Sequence, residues 1–117
     1  MEKKAEKKIS ISFRISKRIN QEIDRLVVEE GFGLKGKSRW ICSAVNEFLK
    51  RPGYVDCVDI ATELEDIGGN LVCKVPESLS RRIDQAIIEV RRHYPAIEGV
   101  KSNIMRAAVM QRLLQLT

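Results

Sequence analysis

The amino-acid sequence predicts a mostly α-helical protein with one two-stranded antiparallel β-ribbon, built from two strand-helix-helix units in a single chain. Three observations carry this expectation. Residues 9–16 alternate strictly between apolar and polar, two amphipathic helical stripes follow them, and the whole pattern returns in the second half of the 117-residue chain.

The first strand reads Ile-Ser-Ile-Ser-Phe-Arg-Ile-Ser. Successive side chains of a strand point to opposite faces, so Ile9, Ile11, Phe13 and Ile15 share one face and Ser10, Ser12 and Arg14 the other. Ser16 suits a helix N-cap, because its hydroxyl can accept a free backbone N–H of the first turn. The helix it opens carries Ile19, Ile23, Leu26 and Val27 at the spacing of one buried stripe, and Gly31 ends it. After a glycine-containing loop at 32–36, Ser38 is the expected cap of a second helix. That helix has a stripe of Trp40, Ile41, Ala44, Val45, Phe48 and Leu49 and stops at Pro52-Gly53.

An offset of 60 then repeats the first strand and helix. It sets Phe13-Arg14-Ile15 on Cys73-Lys74-Val75, Ile19 on Leu79, Ile23-Asp24 on Ile83-Asp84, Val27 on Ile87 and Glu29 on Glu89, while Ser16 falls on Pro76, a residue also tolerated at a helix start. The second helix repeats at an offset of 64, with Lys37-Ser38 on Lys101-Ser102, Ile41 on Met105, Ala44-Val45 on Ala108-Val109 and Leu49 on Leu113. The change of offset predicts a four-residue insertion in the second inter-helix loop, around His93, Tyr94 and Pro95. Four regions follow: a basic tail at 1–8, a first unit at 9–50, an acidic linker at 51–69 and a second unit at 70–117. The linker holds Asp56, Asp59, Glu63, Glu65 and Asp66, predicts a short helix around 59–67 broken by Gly68-Gly69, and belongs on the side away from the ribbon.

Charge is distributed unevenly. The net charge is +5, and residues 1–18 carry all of it, with seven Lys or Arg against Glu2 and Glu6. A basic arm leading into the first strand is a pattern met where a chain approaches phosphate. The cysteines, Cys42, Cys57 and Cys73, are odd in number and far apart, which argues against both a zinc site and a disulfide framework and for reduced thiols in a cytoplasmic protein. No apolar run approaches the ~18 residues of a membrane span, and the charged opening has no apolar stretch behind it to make a signal peptide.

A lone strand-helix-helix unit leaves apolar faces uncovered and strand edges unpaired, and two units solve both problems by pairing their strands over a common four-helix core. This order, with a second helix carrying Ile-x-x-Ala-Val, resembles the ribbon-helix-helix family of DNA-binding proteins, the Arc/MetJ superfamily, over residues 11–30 with 37–50 and 71–90 with 101–115. Because one chain supplies both halves, it is similar to the TraY-type tandem members of conjugation relaxosomes. The resemblance implies an intramolecular pseudodimer, with a swapped dimer as the alternative, that binds double-stranded DNA through the ribbon in the major groove. It places base-reading residues at Ser10, Ser12, Arg14, Asn70, Val72 and Lys74. Arg14 or Lys74 would donate to guanine, Asn70 would pair with adenine and Val72 would meet a thymine methyl. It places phosphate contacts at the starts of the second helices, at Lys37, Ser38, Arg39, Lys101, Ser102 and Asn103.

The reading residues of the two strands differ, so the expected DNA site is asymmetric. The resemblance also implies an accessory role in plasmid transfer or maintenance with possible autoregulation, and partners that include a relaxase and further copies of the chain on adjacent sites. An ordinary transcriptional repressor, or an antitoxin-like interaction module using the acidic linker, are the competing readings. Nothing supports an enzyme or a bound cofactor or metal. His93 has no catalytic company in the sequence, no Ser or Asp sits in a nucleophile motif, and residues 31–36 lack phosphate-loop spacing. Trp40 reads as packing and Cys73 as a small buried hydrophobe.

Overall fold

A computed structural model describes residues 6–33, 36–63 and 68–115. Its elements run β1 (Lys8–Ile15), α1 (Lys17–Glu29), α2 (Lys37–Leu49), α3 (Tyr54–Ala61), β2 (Gly69–Pro76), α4 (Glu77–His93) and α5 (Val100–Gln115). Among the described residues this is a mostly helical fold with five helices and one two-stranded antiparallel sheet. The strands pair from Lys8 opposite Pro76 to Ile15 opposite Gly69. No helix among the described residues is long and apolar enough to cross a membrane.

Both strands obey their period. Ile11, Phe13 and Ile15 of β1 and Leu71, Cys73 and Val75 of β2 are buried and face the helices. The helix stripes meet them from beneath, with Ile23, Val27, Trp40, Ile41, Val45 and Phe48 from α1 and α2 and Ile83, Val90, Ile104, Met105 and Val109 from α4 and α5. Each strand begins one residue earlier than the alternation suggests. Ser16 leaves β1 because it is the N-cap of α1: its carbonyl accepts from Asn20 N–H at 3.0 Å and its hydroxyl accepts from Ile19 N–H at 3.1 Å. Gly69 joins β2 opposite Ile15, where a Cβ would lie 2.6 Å from the Ile15 carbonyl oxygen, so only glycine allows the backbones this close.

Four expectations need correction. First, the insertion lengthens a helix and not a loop. α1 has 13 residues and α4 has 17. Gly31, with φ of 81°, turns the chain out of α1, whereas its counterpart Arg91 lets α4 continue another turn that buries Val90 and ends on Arg91, Arg92 and His93, cations suited to a helix C-terminus. His93 therefore sits at the end of α4, its ring nitrogen 3.0 Å from the Glu89 carbonyl oxygen. Second, the connector helix is α3 at Tyr54–Ala61, earlier than the expected 59–67, of which 64–67 lie outside the described residues. It buries Val58 and Ala61, packs mainly on α4 and α5, and Tyr54 meets Phe48 edge to face at 5.9 Å. This helix of the connector is thus part of the core.

Third, Ser38 and Ser102 are not caps. Gly36 is the N-cap of α2, and α5 begins at Val100, so both serines lie inside the first turn. Fourth, residues 6–8 are structural and not tail. Pro76, the N-cap of α4, has no side-chain acceptor. The Lys7 carbonyl accepts from Glu77 N–H at 2.9 Å and the Glu6 carboxylate from Ser78 N–H at 3.0 Å, which satisfies two donors of the first turn. Residues 1–5 of the expected tail, and residues 34 and 35 of the first inter-helix loop, lie outside the described residues.

Trp40 is wholly buried, as packing requires. Its indole N–H donates to Glu30 at 3.1 Å, Arg112 pairs with the same carboxylate at 3.1 Å, and the Arg112 guanidinium stands 5.9 Å over the indole ring. This joins the end of α1, the start of α2 and the end of α5.

Candidate nucleic-acid interface

Because the inward residues of both strands are spent on the core, the intervening residues form a single outward face. Ser10, Ser12 and Arg14 are exposed, as are Asn70, Val72 and Lys74. The register sets Ser10 opposite Lys74, Ser12 opposite Val72 and Arg14 opposite Asn70. All six expected base-reading residues therefore share one surface. Val72 is 58% exposed, unusual for a valine in a strand and without a packing reason in the fold. The Ser12 hydroxyl donates to the Asn70 side-chain oxygen at 3.2 Å, which orients the amide and leaves its N–H groups outward.

The charge of this face is unneutralised. Arg14 and Lys74 lie at opposite ends, four residue steps or ~13 Å apart along the ribbon, and neither forms an ion pair with a described carboxylate. Several cations elsewhere are matched, Arg25 with Glu22 and Glu29, Arg81 with Glu77, and Arg92 with Glu89.

The outer edges of the strands are tied to the helices through Ser38, expected as a cap and phosphate contact, and through Cys42 and Arg106, for which the sequence suggested no such role. Lys74 N–H donates to the Ser38 hydroxyl at 3.0 Å, and the Cys42 thiol donates to the Lys74 carbonyl at 3.5 Å. On the other strand, the Arg106 guanidinium donates to the Arg14 carbonyl at 3.0 Å and to the Asn103 side-chain oxygen. Arg106 is buried and faces no carboxylate among these contacts, so burial, aided by the Arg14 charge, pushes its pKa down, and its Nε finds no partner. The signal was present: Arg106 is the counterpart of Cys42 at the offset of 64. A lone arginine inside an apolar stripe marks a position where the helix must reach a backbone acceptor.

The six expected phosphate-contact residues fare unequally. Lys37 pairs with Asp24 at 2.8 Å and donates to Asn20, so its charge is partly spent on α1. Ser38 is occupied by the strand edge. Arg39 is exposed, donates to the Phe32 carbonyl at 2.9 Å and stands 5.9 Å over the Phe32 ring. Lys101 and Ser102 are half-buried at the start of α5. Asn103 is a correction. It is 3% exposed and committed to Arg106 and to the Glu98 carbonyl at 3.3 Å, so its side chain faces inward and is not free for phosphate. Lys8, expected in the tail, stands on β1 beside Ser38 and Arg39 and is the residue missed.

Burial pushes the Cys73 thiol up to about 12, with the neighbouring Cys42 thiol as a lesser cause, and burial also raises Cys42. Among the described residues, no three of His, Cys, Asp and Glu come together as a metal site requires. A scan against protein-family models and searches of curated proteins and of solved structures match nothing at significance.

Proposed function

We propose that this protein is a sequence-specific reader of double-stranded DNA, made of two ribbon-helix-helix units that fold on one another within the chain as a pseudodimer. The observation that carries the reading is the register. Six residues expected to read bases lie together on one exposed, unneutralised face, and the offset of 60 that relates the two halves places Ser12 on Val72, its cross-strand partner. The same offset exchanges the pair Ser10 and Lys74 with the pair Asn70 and Arg14. The centre of the repeat and the centre of the ribbon coincide, as a two-fold ribbon demands.

The helices support the same reading. α2 serves the edge of β2 and α5 the edge of β1, so each half braces the strand of the other, and the counterpart residues Cys42 and Arg106 donate to the counterpart carbonyls of Lys74 and Arg14. A two-stranded ribbon of this kind fits the major groove, where each base pair presents a distinct pattern. Arg14 and Lys74 would donate to guanine O6 and N7, the Asn70 amide would serve adenine, and Val72 would meet a thymine methyl. Since Ser10, Ser12 and Arg14 differ from Asn70, Val72 and Lys74, the preferred site is asymmetric. Among processes that employ such readers, the tandem arrangement favours plasmid transfer or maintenance, and footprinting DNA that adjoins the gene tests that role.

The reading itself is tested by titrating duplex DNA at several salt concentrations. A log–log slope corresponding to several neutralised phosphates is expected. A flat, weak response overturns it and favours a protein-interaction module.

A further inference from the structure

We propose that the protein grips the DNA backbone at one end of its ribbon only, the end where α2 begins, so that its complex with DNA is polar. The inference rests on the ribbon being the DNA-facing surface and goes beyond it, because that reading makes the two strands unequal toward bases and says nothing of how the backbone is held at either end.

At the α2 end, Lys8, Arg39 and Lys74 border one cavity of about 430 Å³ around Ser38. All three cations are exposed, and none forms an ion pair with a described carboxylate. They come from three elements, β1, α2 and β2, so no local sequence pattern places them together. Three unneutralised cations around one concavity make a strong local field for a phosphate.

The repeat offsets name the corresponding positions at the α5 end. Lys8 falls on Gly68, which has no side chain. Arg39 falls on Asn103, which is buried. Lys74 falls on Arg14, the one cation of the three that persists. Arg106 adds a charge beneath, but its two terminal nitrogens are turned to the Arg14 carbonyl and to Asn103. The cavity of about 610 Å³ onto which Asn103 and Arg106 open has no strand residue in its wall and is bordered by Asp59 from α3, Glu98 from the loop before α5 and His93 from the end of α4. Two carboxylates there repel a phosphate where the opposite end offers cations. Lys37 and Lys101 correspond to one another, but Lys37 is held by Asp24 whereas Lys101 pairs with no described carboxylate. The α5 end keeps Arg14 and Lys101 against the three clustered cations of the α2 end. The acidic connector thus acquires a role, since α3 delivers Asp59 to the end that leaves the backbone free.

The test uses the full chain and a duplex that the wild-type protein selects from a random 20-base-pair pool. Ethylation of phosphates is expected to block binding on one flank of the selected site and not on the other. Replacing Lys8 and Arg39 together by Gln (K8Q/R39Q) is expected to lower the slope of log affinity against log salt by about 2, near 0.9 per lost phosphate contact. K101Q is expected to leave the slope within error, and E98Q to raise affinity at low salt. Equal interference on both flanks, or equal loss of slope in K8Q/R39Q and K101Q, overturns the one-ended grip while leaving DNA reading intact. Failure of the wild-type protein to select any duplex overturns DNA reading, and this inference with it. Thermal melting of each variant confirms that binding changes are not losses of fold.

Discussion

The two halves of the molecule pass through the same strand-helix-helix order and solve its local problems by different means. The first half starts its first helix with its own Ser16 and stops it with Gly31. The second half starts α4 with Pro76, borrows the Lys7 carbonyl and the Glu6 carboxylate from across the ribbon, and runs a turn further. In the core the first half supplies Phe13 and Trp40 where the second supplies Cys73 and Ile104. At the strand edges Cys42 and Arg106 do one job with very different chemistry. What is kept between the halves is therefore a geometric requirement, that a donor reach a strand carbonyl or an acceptor reach a first-turn N–H, and not a residue type.

The largest expected contrast tests the unequal core. Phe13→Ala removes a fully buried ring and should cost about 3–5 kcal/mol in a denaturant titration. Cys73→Ala, at the corresponding inward position, should cost only about 1 kcal/mol because far less buried volume is lost. Similar losses would mean that the halves share the core evenly. Next comes the reading face. Arg14→Ala and Lys74→Ala should each weaken binding to the preferred DNA by about 1–3 kcal/mol, with little change in melting temperature because both side chains lie outside the core. Symmetrising the DNA to either half-site should cost a similar amount per lost base contact. A palindrome bound as tightly as the preferred site would show that the unlike strands read alike.

A smaller effect compares the helix starts. Ser16→Ala should lower stability by about 1 kcal/mol, and Glu6→Ala by roughly half of that, since Glu6 is exposed and the Lys7 carbonyl remains in place. A Glu6→Ala variant indistinguishable from wild type would return residue 6 to the tail. The smallest effect concerns Cys73. Its folded pKa of about 12 lies above the ordinary value of 9.0, so the native state holds its proton more tightly than the unfolded chain does. The resulting stability is complete below pH 9 and is lost as pH rises toward 12. Between pH 8 and 10 the wild type should lose more stability than Cys73→Ala, and Cys73 should resist alkylation at pH 8 in the folded protein.

How legible the site was depended on the range of the interaction. The outward face of the ribbon could be seen in the sequence because strand alternation is a local property, and Ile11, Phe13 and Ile15 settle by their own hydrophobicity which way Ser10, Ser12 and Arg14 point. The phosphate positions were less legible. Lys37, Ser38 and Asn103 look available in the sequence, yet Lys37 and Ser38 are engaged by residues from other elements, Asp24 and the Lys74 amide, and Asn103 by Arg106 one turn along its own helix.

The sequence by itself determined the strands, the helical stripes, the inward and outward faces and the repeat that relates the halves, because periodicities of 2 and 3.6 and the stops at Gly31 and Pro52-Gly53 are written within a few residues of where they act. Only the tertiary structure decided that residues 6 and 7 cap α4, that α3 belongs to the core, that Arg106 is buried beneath Arg14, and that Lys8, Arg39 and Lys74 converge at one end of the ribbon. Those outcomes join residues far apart in the chain, up to the 92 positions between Arg14 and Arg106. A partner at that distance is chosen by which surfaces packing brings into contact, and no local pattern records it.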